Sequence, residues 1–538
     1  MASSKEKTVF VREATGLVKQ ISGMEALGMA LSGMGLLYVF NATVFTPAFY
    51  PDANPLIGPL IGLLLVLPIA GMYAVFAIAM PRTGGDYVWT SRILHPSIGY
   101  VANFTITIIS LSFVGSVAPW ISQWSLSEMF YDLGRIYNNQ SYLNLANYLQ
   151  GSVPTFWISA VAIIIAGLVV IASSKLAGRI VKYWTILSII IGAVFVAVVL
   201  SAGNSTFVAN FNSPLSGSNM TYNQVIAAGQ QAGAHNGVPP LFSFSTLYAG
   251  ALGLLGYLAF FYPSYFAGEV KQNKRTQILG QVGSSVIFMA VVSVIIAAVY
   301  FSEGPSFVNA MAALWSSGSP NLPYVAIPLS SGLSMFWTQN PFLVSLFNIS
   351  FGLTAEIMNV AIFFSLSRNL FAWSFDRIVP TAFANVNPRT RTPVYAIILM
   401  TIVGLIFAYI AIFQLGILAT VFSYGTAGIF IAFIFVSVAA IVFPYRRKEI
   451  FAGSDPASQT KVGGVPLITI LGVLGLVVSV VTVYAIVLPS IGGPFSNVLL
   501  DGILPTFIIG AVIYAIAWAV RRSQGIDLSL LQKEVPPE

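Results

Sequence analysis

The sequence predicts an all-α polytopic membrane protein with 12 transmembrane helices, and three observations carry that prediction. Charged residues make up 8% of the 538 residues, against roughly 25% in an ordinary soluble domain, too few to cover a water-facing surface. Hydrophobic residues make up 57%, and apolar runs of about 20 residues, long enough to cross a hydrocarbon layer as helix, recur to the end of the chain. The Lys and Arg residues fall in every second gap between those runs.

In chain order the runs place spans at 22–47, 55–80, 97–130, 154–173, 178–201, 243–268, 278–300, 341–367, 393–412, 416–443, 464–489 and 500–520. Of the 24 bases, 23 lie at the N-terminus, in alternate gaps or the span ends bordering them (Arg179 and Lys182 at the start of span five), and at the C-terminus, and the remaining gaps hold only Arg135. By the positive-inside rule both termini are expected in the cytoplasm, and only an even number of spans keeps the alternation. Residues 1–21 are expected to be a cytoplasmic segment without a cleavable signal, since no short apolar core ends in a small-residue cleavage site. The outer loop 202–242 carries no charged residue and includes sequons at Asn204 and Asn219, with a third at Asn139 in the preceding outer loop. Residues 444–521 hold spans eleven and twelve, and 522–538 are expected to be a solvated cytoplasmic tail.

Composition excludes several classes. With no cysteine, disulfides, thiol catalysis and Cys-ligated zinc are ruled out. Only His95 and His235 offer imidazole, both in interfacial loops, so no resident metal is expected, nor any other cofactor. The net charge of +7 forms no solvated basic patch, so no nucleic acid partner is expected. No G-x-x-x-x-G-K-[ST] loop occurs, which removes ATP-driven pumping, and no cluster of acids or histidines supports a membrane enzyme.

Spans one to five (22–201) and six to ten (243–443) form units of similar length, and an odd number of spans per unit inverts the second in the membrane. The first span of each unit is rich in small residues at mid-depth: Gly28, Ser32, Gly33 and Gly35 in one, Gly250, Gly253, Gly256 and Pro263 in the other. Glycine weakens a helix and proline removes a donor, so the backbone can unwind there and present N–H and C=O groups to a solute. Freed amides suit a carboxylate and freed carbonyls an ammonium or metal cation, and an amino acid carries both groups. Close helix packing is the competing account of small residues.

Three stretches resemble signatures of the amino acid-polyamine-organocation (APC) permeases. Pro81-Arg82-Thr83-Gly84-Gly85-Asp86-Tyr87 is similar to P-x-x-G-G-x-Y. Ala267-Gly268-Glu269-Val270-Lys271-Gln272-Asn273-Lys274-Arg275 resembles E-x-K-N-P-x-R. Ser367-Arg368 through Asp376-Arg377-Ile378-Val379-Pro380, continuing to Arg391-Thr392-Pro393, resembles the S-R-x-x-x-A-x-A-R-D-x-x-x-P segment. The resemblance covers residues 15 to 445. It implies a LeuT-like fold of ten core helices plus two, and secondary transport of amino acids or related amines by alternating access. It further implies a plasma-membrane symporter whose partners are the amino acid, a proton or sodium ion, and membrane lipid.

The resemblance also implies sites. Ser32, Gly33, Met34 and Gly35 form the nearest glycine-rich break in span one, although the family's G-S-G-I-F is not reproduced and one alignment puts Leu36 to Phe40 there. Leu255, Gly256, Tyr257 and Leu258 fall on the substrate-facing segment of span six. The family's G-F-E stands as Ala259-Phe260-Phe261, so its acid is missing and a neutral or apolar substrate is favoured. Tyr257 or Phe260 is expected to close over the substrate side chain or meet an ammonium. Where some proton-coupled members carry a lysine in span five, this chain has Ser188, which either ligates sodium or bonds to its own helix.

Glu356 lies 12 residues before Arg368, about 18 Å along a helix, and so near the middle of the apolar layer. It is read as the only acid so deep. Asn348, Gly352, Glu356 and Asn359 share one face of span eight. Three roles are open for Glu356: proton carrier, partner of a cation with Asn359 beside it, or a structural acid held neutral by hydrogen bonds. Glu25 is placed at a helix N-terminus. Glu269 is expected to form an inner-gate salt bridge with Arg82 or Arg368. The alternatives to an amino acid permease are a polyamine or organocation transporter or exchanger of the same fold, and a non-transporting channel or nutrient sensor.

Overall fold

The computed structural model describes residues 17–319, 322, 324, 327–413, 415–487 and 503–533. Among them, eleven helices are long and apolar enough to cross a membrane: Gly23–Asn41, Gly58–Ala79, Pro96–Ile136, Ser152–Ala172, Ser174–Phe211, Asn273–Glu303, Pro341–Phe375, Val394–Phe413, Ala427–Arg446, Leu467–Ala485 and Leu504–Ser523. They match every expected span except the sixth, 243–268, which is broken into short pieces. The only sheet among the described residues is a hairpin pairing Lys461–Val462 with Val465–Pro466 across a Gly463-Gly464 turn.

Local sequence explains where the helices start. Before span one, Ser22 and Glu25 form a capping box in which each side chain bonds the other residue's amide. Span three starts at His95-Pro96 and span eight at Asn340-Pro341: each cap side chain accepts an amide of the first turn, and proline takes the position whose N–H has no partner anyway.

Burial sorts the helices. Span one has 83% of its apolar window buried and span twelve 11%, which puts span one at the centre and span twelve at the rim. Ile508, Ile509, Val512 and Ile516 of span twelve face outward, as apolar side chains do toward lipid.

Four expectations are corrected. Span five runs to Phe211 rather than 201, bending at Gly203, and the expected outer loop holds a further helix, Tyr222–Gln231. The Asn204 amide donates to the Ser302 carbonyl at 3.0 Å, so that sequon is engaged in packing. Span three continues through a π-helical turn, Ile121–Leu126, to Ile136 rather than 130, which draws Asp132 into the bundle one turn beyond Glu128. In the expected solvated tail, Leu528 is 1% exposed, because that apolar side chain begins a turn packed on helix Asp86–Ile93.

Candidate functional site

Span one stops being an α-helix at Gly35. Its N–H still reaches the carbonyls of Leu31 and Ser32, but its φ of +72° is left-handed, and 3-10 turns over Leu36–Asn41 follow. Span six is helical over Phe244–Gly253, winds as 3-10 over Leu254–Tyr257, holds Ala259 at a φ of +95°, and resumes for one turn at Tyr262–Tyr265. A positive φ at alanine is strained backbone that the surroundings must hold in place. The two breaks touch: a Cβ added at Gly33 would lie 2.7 Å from Ala259 Cβ and 2.6 Å from Tyr262 Cε2. Only glycine allows that approach.

The other expected substrate residues gather around this contact. Met34 is buried, and Ser32 Oγ is 3.5 Å from the Val181 carbonyl. Gly256 faces Phe288, and Leu258 is half-buried. The Leu255 side chain lies outside the described residues. Tyr257 and Phe260 are differently placed from expectation. The Tyr257 hydroxyl donates to the Pro59 carbonyl at 2.5 Å and its ring stacks edge-on with Phe288, while Phe260 packs among Tyr73, Phe261 and Phe433. Both rings are held by neighbours because the one-turn break swings them toward spans two, seven and ten. The aromatic group beside the Gly35 break is Tyr38 instead, stacked on Trp120 at 5.0 Å, with Trp124 and Phe351 behind it. Its position three residues past the last glycine of the break was the available sequence signal.

Ser188 is fully buried, and its hydroxyl has no hydrogen-bond partner. Val181, Ser188 and Gly192 share one face of span five. Val181 meets Ser32 and Gly192 meets Leu37, so this face of span five runs along span one. Glu356 is placed otherwise. A Cβ at Gly35 would meet Met358 and Thr354 of span eight, about 140° around that helix from Gly352, Glu356 and Asn359 at 100° per residue. That stripe turns toward span three, where Ser125 Oγ donates to the Asn348 carbonyl at 2.8 Å. Neither carboxylate oxygen of Glu356, nor either polar atom of the Asn359 amide, has a hydrogen-bond partner. Other acids are more fully buried than Glu356: Glu128, Asp132 and Glu303 are 1, 0 and 3% exposed.

Ion pairs close the Glu269 end of the bundle. Arg368 donates through Nε and Nη2 to the two carboxylate oxygens of Glu269 at 2.8 and 3.0 Å, and through Nη2 to Ser174 at 2.9 Å. Arg368 is therefore the partner, and the Arg82 guanidinium reaches the Pro81 carbonyl. The Glu269 carbonyl accepts from the amides of Gln20 and Ile21, and Gly84 N–H donates to the Tyr265 carbonyl, so span six is strapped to the chain before span one and after span two. Gly85, at a φ of +47°, sits against Ser264 and Tyr265, where a Cβ would lie 2.7 Å from Ser264 Oγ.

Two neighbouring groups went unnoticed in the sequence, although both fall at the quoted motifs. Arg92 and Asp376 form a buried bidentate pair at 2.6 and 2.9 Å, with the Tyr87 hydroxyl donating to the same carboxylate. Asp86 accepts from Tyr73 of span two, Tyr265 of span six and Asn103 of span three, and Asn103 in turn accepts from Trp373 of span eight. Burial pushes the Asp86 carboxyl up to about 6, against the lowering effect of those three donors. As for the remaining expectations, Glu25 caps its helix, His95 caps span three, and His235 pairs with Asp52.

A family model described as amino acid permease matches residues 21–517, extending past the resemblance at 15 to 445 to include spans eleven and twelve. No curated protein matches the chain.

Proposed function

The chain belongs to the amino acid permease family, and from that premise we propose that it is a secondary active transporter of neutral or apolar amino acids. The observation that carries this reading is the contact of two broken helices at Gly33 and Ala259. Backbone groups freed from regular winding there suit a carboxylate and an ammonium, and Tyr38 and Trp120 supply an apolar flank. In this reading the main chain at Ser32–Gly35 and Leu255–Phe260 holds the substrate backbone, and the Glu269–Arg368 pair is the inner gate. Spans one to five and six to ten act as inverted units, with both termini cytoplasmic in the plasma membrane.

For coupling, the reading places sodium beside Ser188, whose buried hydroxyl has no hydrogen-bond partner and lies on the face of span five that runs along span one. A proton carried by Glu356 is the second reading, favoured by its two carboxylate oxygens without partners. The test is uptake by the purified protein in liposomes, using a panel of neutral, charged and polyamine solutes under separately imposed sodium and pH gradients. Saturable uptake of neutral amino acids that is accelerated by internal substrate supports the reading. Selective polyamine uptake, or flux that neither saturates nor exchanges, rejects it.

A further inference from the structure

Asn348 and Arg368 are 20 residues apart on span eight, about 30 Å of helix. At the Asn348 end lies a polar cluster that the transport reading does not use. Glu128 and Asp132 sit one turn apart on the extension of span three, both buried. Asp132 Oδ2 accepts from Asn348 Nδ2 at 2.9 Å, and the same nitrogen reaches the Ser331 carbonyl at 3.3 Å. A Cβ at Gly332 would lie 3.2 Å from Glu128 Oε2, so the main chain at 331–332 runs beside that carboxylate. Within the cluster, Asp132 Oδ1, Asn348 Oδ1 and Ser331 Oγ are buried without hydrogen-bond partners, and their residues are each 0% exposed. Arg135, the base at this end of span three, donates to the carbonyls of Pro214 and Leu215.

A buried polar oxygen without a hydrogen-bond partner is costly, and three lie here on neighbouring residues. We propose that Asp132, Asn348 and Ser331, with the Glu128 carboxylate beside them, bind a hard metal cation, calcium or sodium. Carboxylate, amide carbonyl and hydroxyl oxygens are the donors such ions take. The chain has no cysteine, and both histidines are engaged elsewhere, which disfavours softer metals. The site joins span three, span eight and the segment 330–336. Ser330 carries the connection to span one, because its N–H donates to the Phe40 carbonyl at 3.0 Å and its hydroxyl bonds Thr43 at 2.9 Å. Cation binding therefore fastens the outer half of span one to the scaffold.

The experiment uses the full chain purified in detergent and stripped with chelator, following the thermal unfolding midpoint against calcium chloride, sodium chloride or choline chloride at matched ionic strength. Calcium or sodium raises the midpoint saturably while choline does not, and the active salt identifies the ion. Asp132→Asn and Ser331→Ala each raise the half-saturating concentration roughly 10- to 100-fold, whereas Asp52→Asn, at an exposed carboxylate outside the cluster, leaves it unchanged. Ser331→Ala removes a single unpartnered oxygen and keeps the test decisive if Asp132→Asn fails to fold. Equal response to all three salts, a midpoint that follows pH alone, or a metal response unaltered by Ser331→Ala overturns the proposal.

Discussion

Glu269 and Arg368, 99 residues apart in sequence, meet through two parallel hydrogen bonds at 2.8 and 3.0 Å, and both are buried. The Arg368 guanidinium also lies 3.8 Å from the centre of the Phe364 ring. The pair thus locks the Glu269 end of span six to span eight in one orientation. Removing one partner strands a buried charge, at a cost of roughly 3–5 kcal/mol. Glu269→Arg and Arg368→Glu are each expected to lower the unfolding midpoint and uptake, and the double reversal to recover part of both. Absence of any recovery in the double variant argues against the gate.

Gly33→Ala places a methyl group against Ala259 and Tyr262. Overpacking of this kind costs typically about 1–3 kcal/mol, and here the strain falls on the two segments that the proposed transport cycle rearranges. The expected result in liposomes is at least a tenfold loss of uptake from a protein that still elutes as a folded monodisperse species. Uptake within twofold of the unaltered chain removes the closely apposed breaks from the mechanism.

Asp86 ties four spans together and titrates near 6, above its ordinary value of 3.8, because burial disfavours the charged form. Between about pH 4 and 6 the folded chain holds a proton that the unfolded chain has released, so stability falls as pH rises through that window and levels off above it. The shift corresponds to about 3 kcal/mol. Asp86→Asn is expected to flatten the slope of the unfolding midpoint over pH 4–6 and to raise the midpoint at pH 7.5. An unchanged slope assigns the titration to another group.

Ser188→Ala and Glu356→Gln separate the two coupling readings. With sodium beside Ser188, the first variant loses sodium-driven accumulation and the second retains it. With a proton on Glu356, Glu356→Gln loses pH-driven accumulation but still exchanges internal for external substrate. Tracer uptake and counterflow on the same liposomes distinguish these outcomes.

Much of the architecture was legible because a hydrocarbon layer imposes one simple rule, about 20 apolar residues per crossing. Eleven of the twelve expected segments coincide with helices long enough to cross, and the twelfth is the one whose glycines and proline argued for unwinding. The stretch Ser32–Gly35 was readable for the same reason, since a left-handed residue in a buried helix calls for glycine. Helix ends were less legible: extending span three to Ile136 depends on how span eight and residues 330–336 cover Glu128 and Asp132.

The sequence by itself determined the fold class, eleven of the crossing helices and the two weak points, because each follows from local composition and from the cost of an unbonded backbone group in lipid. Tertiary structure alone decided which side chains meet there. It turned Tyr257 and Phe260 into neighbouring helices, set Tyr38 on Trp120, turned Glu356 away from Gly35, and chose Arg368 as the partner of Glu269. Those outcomes depend on the rotation of each helix about its axis. That rotation is fixed by packing between segments far apart in sequence, which no single stretch of sequence encodes.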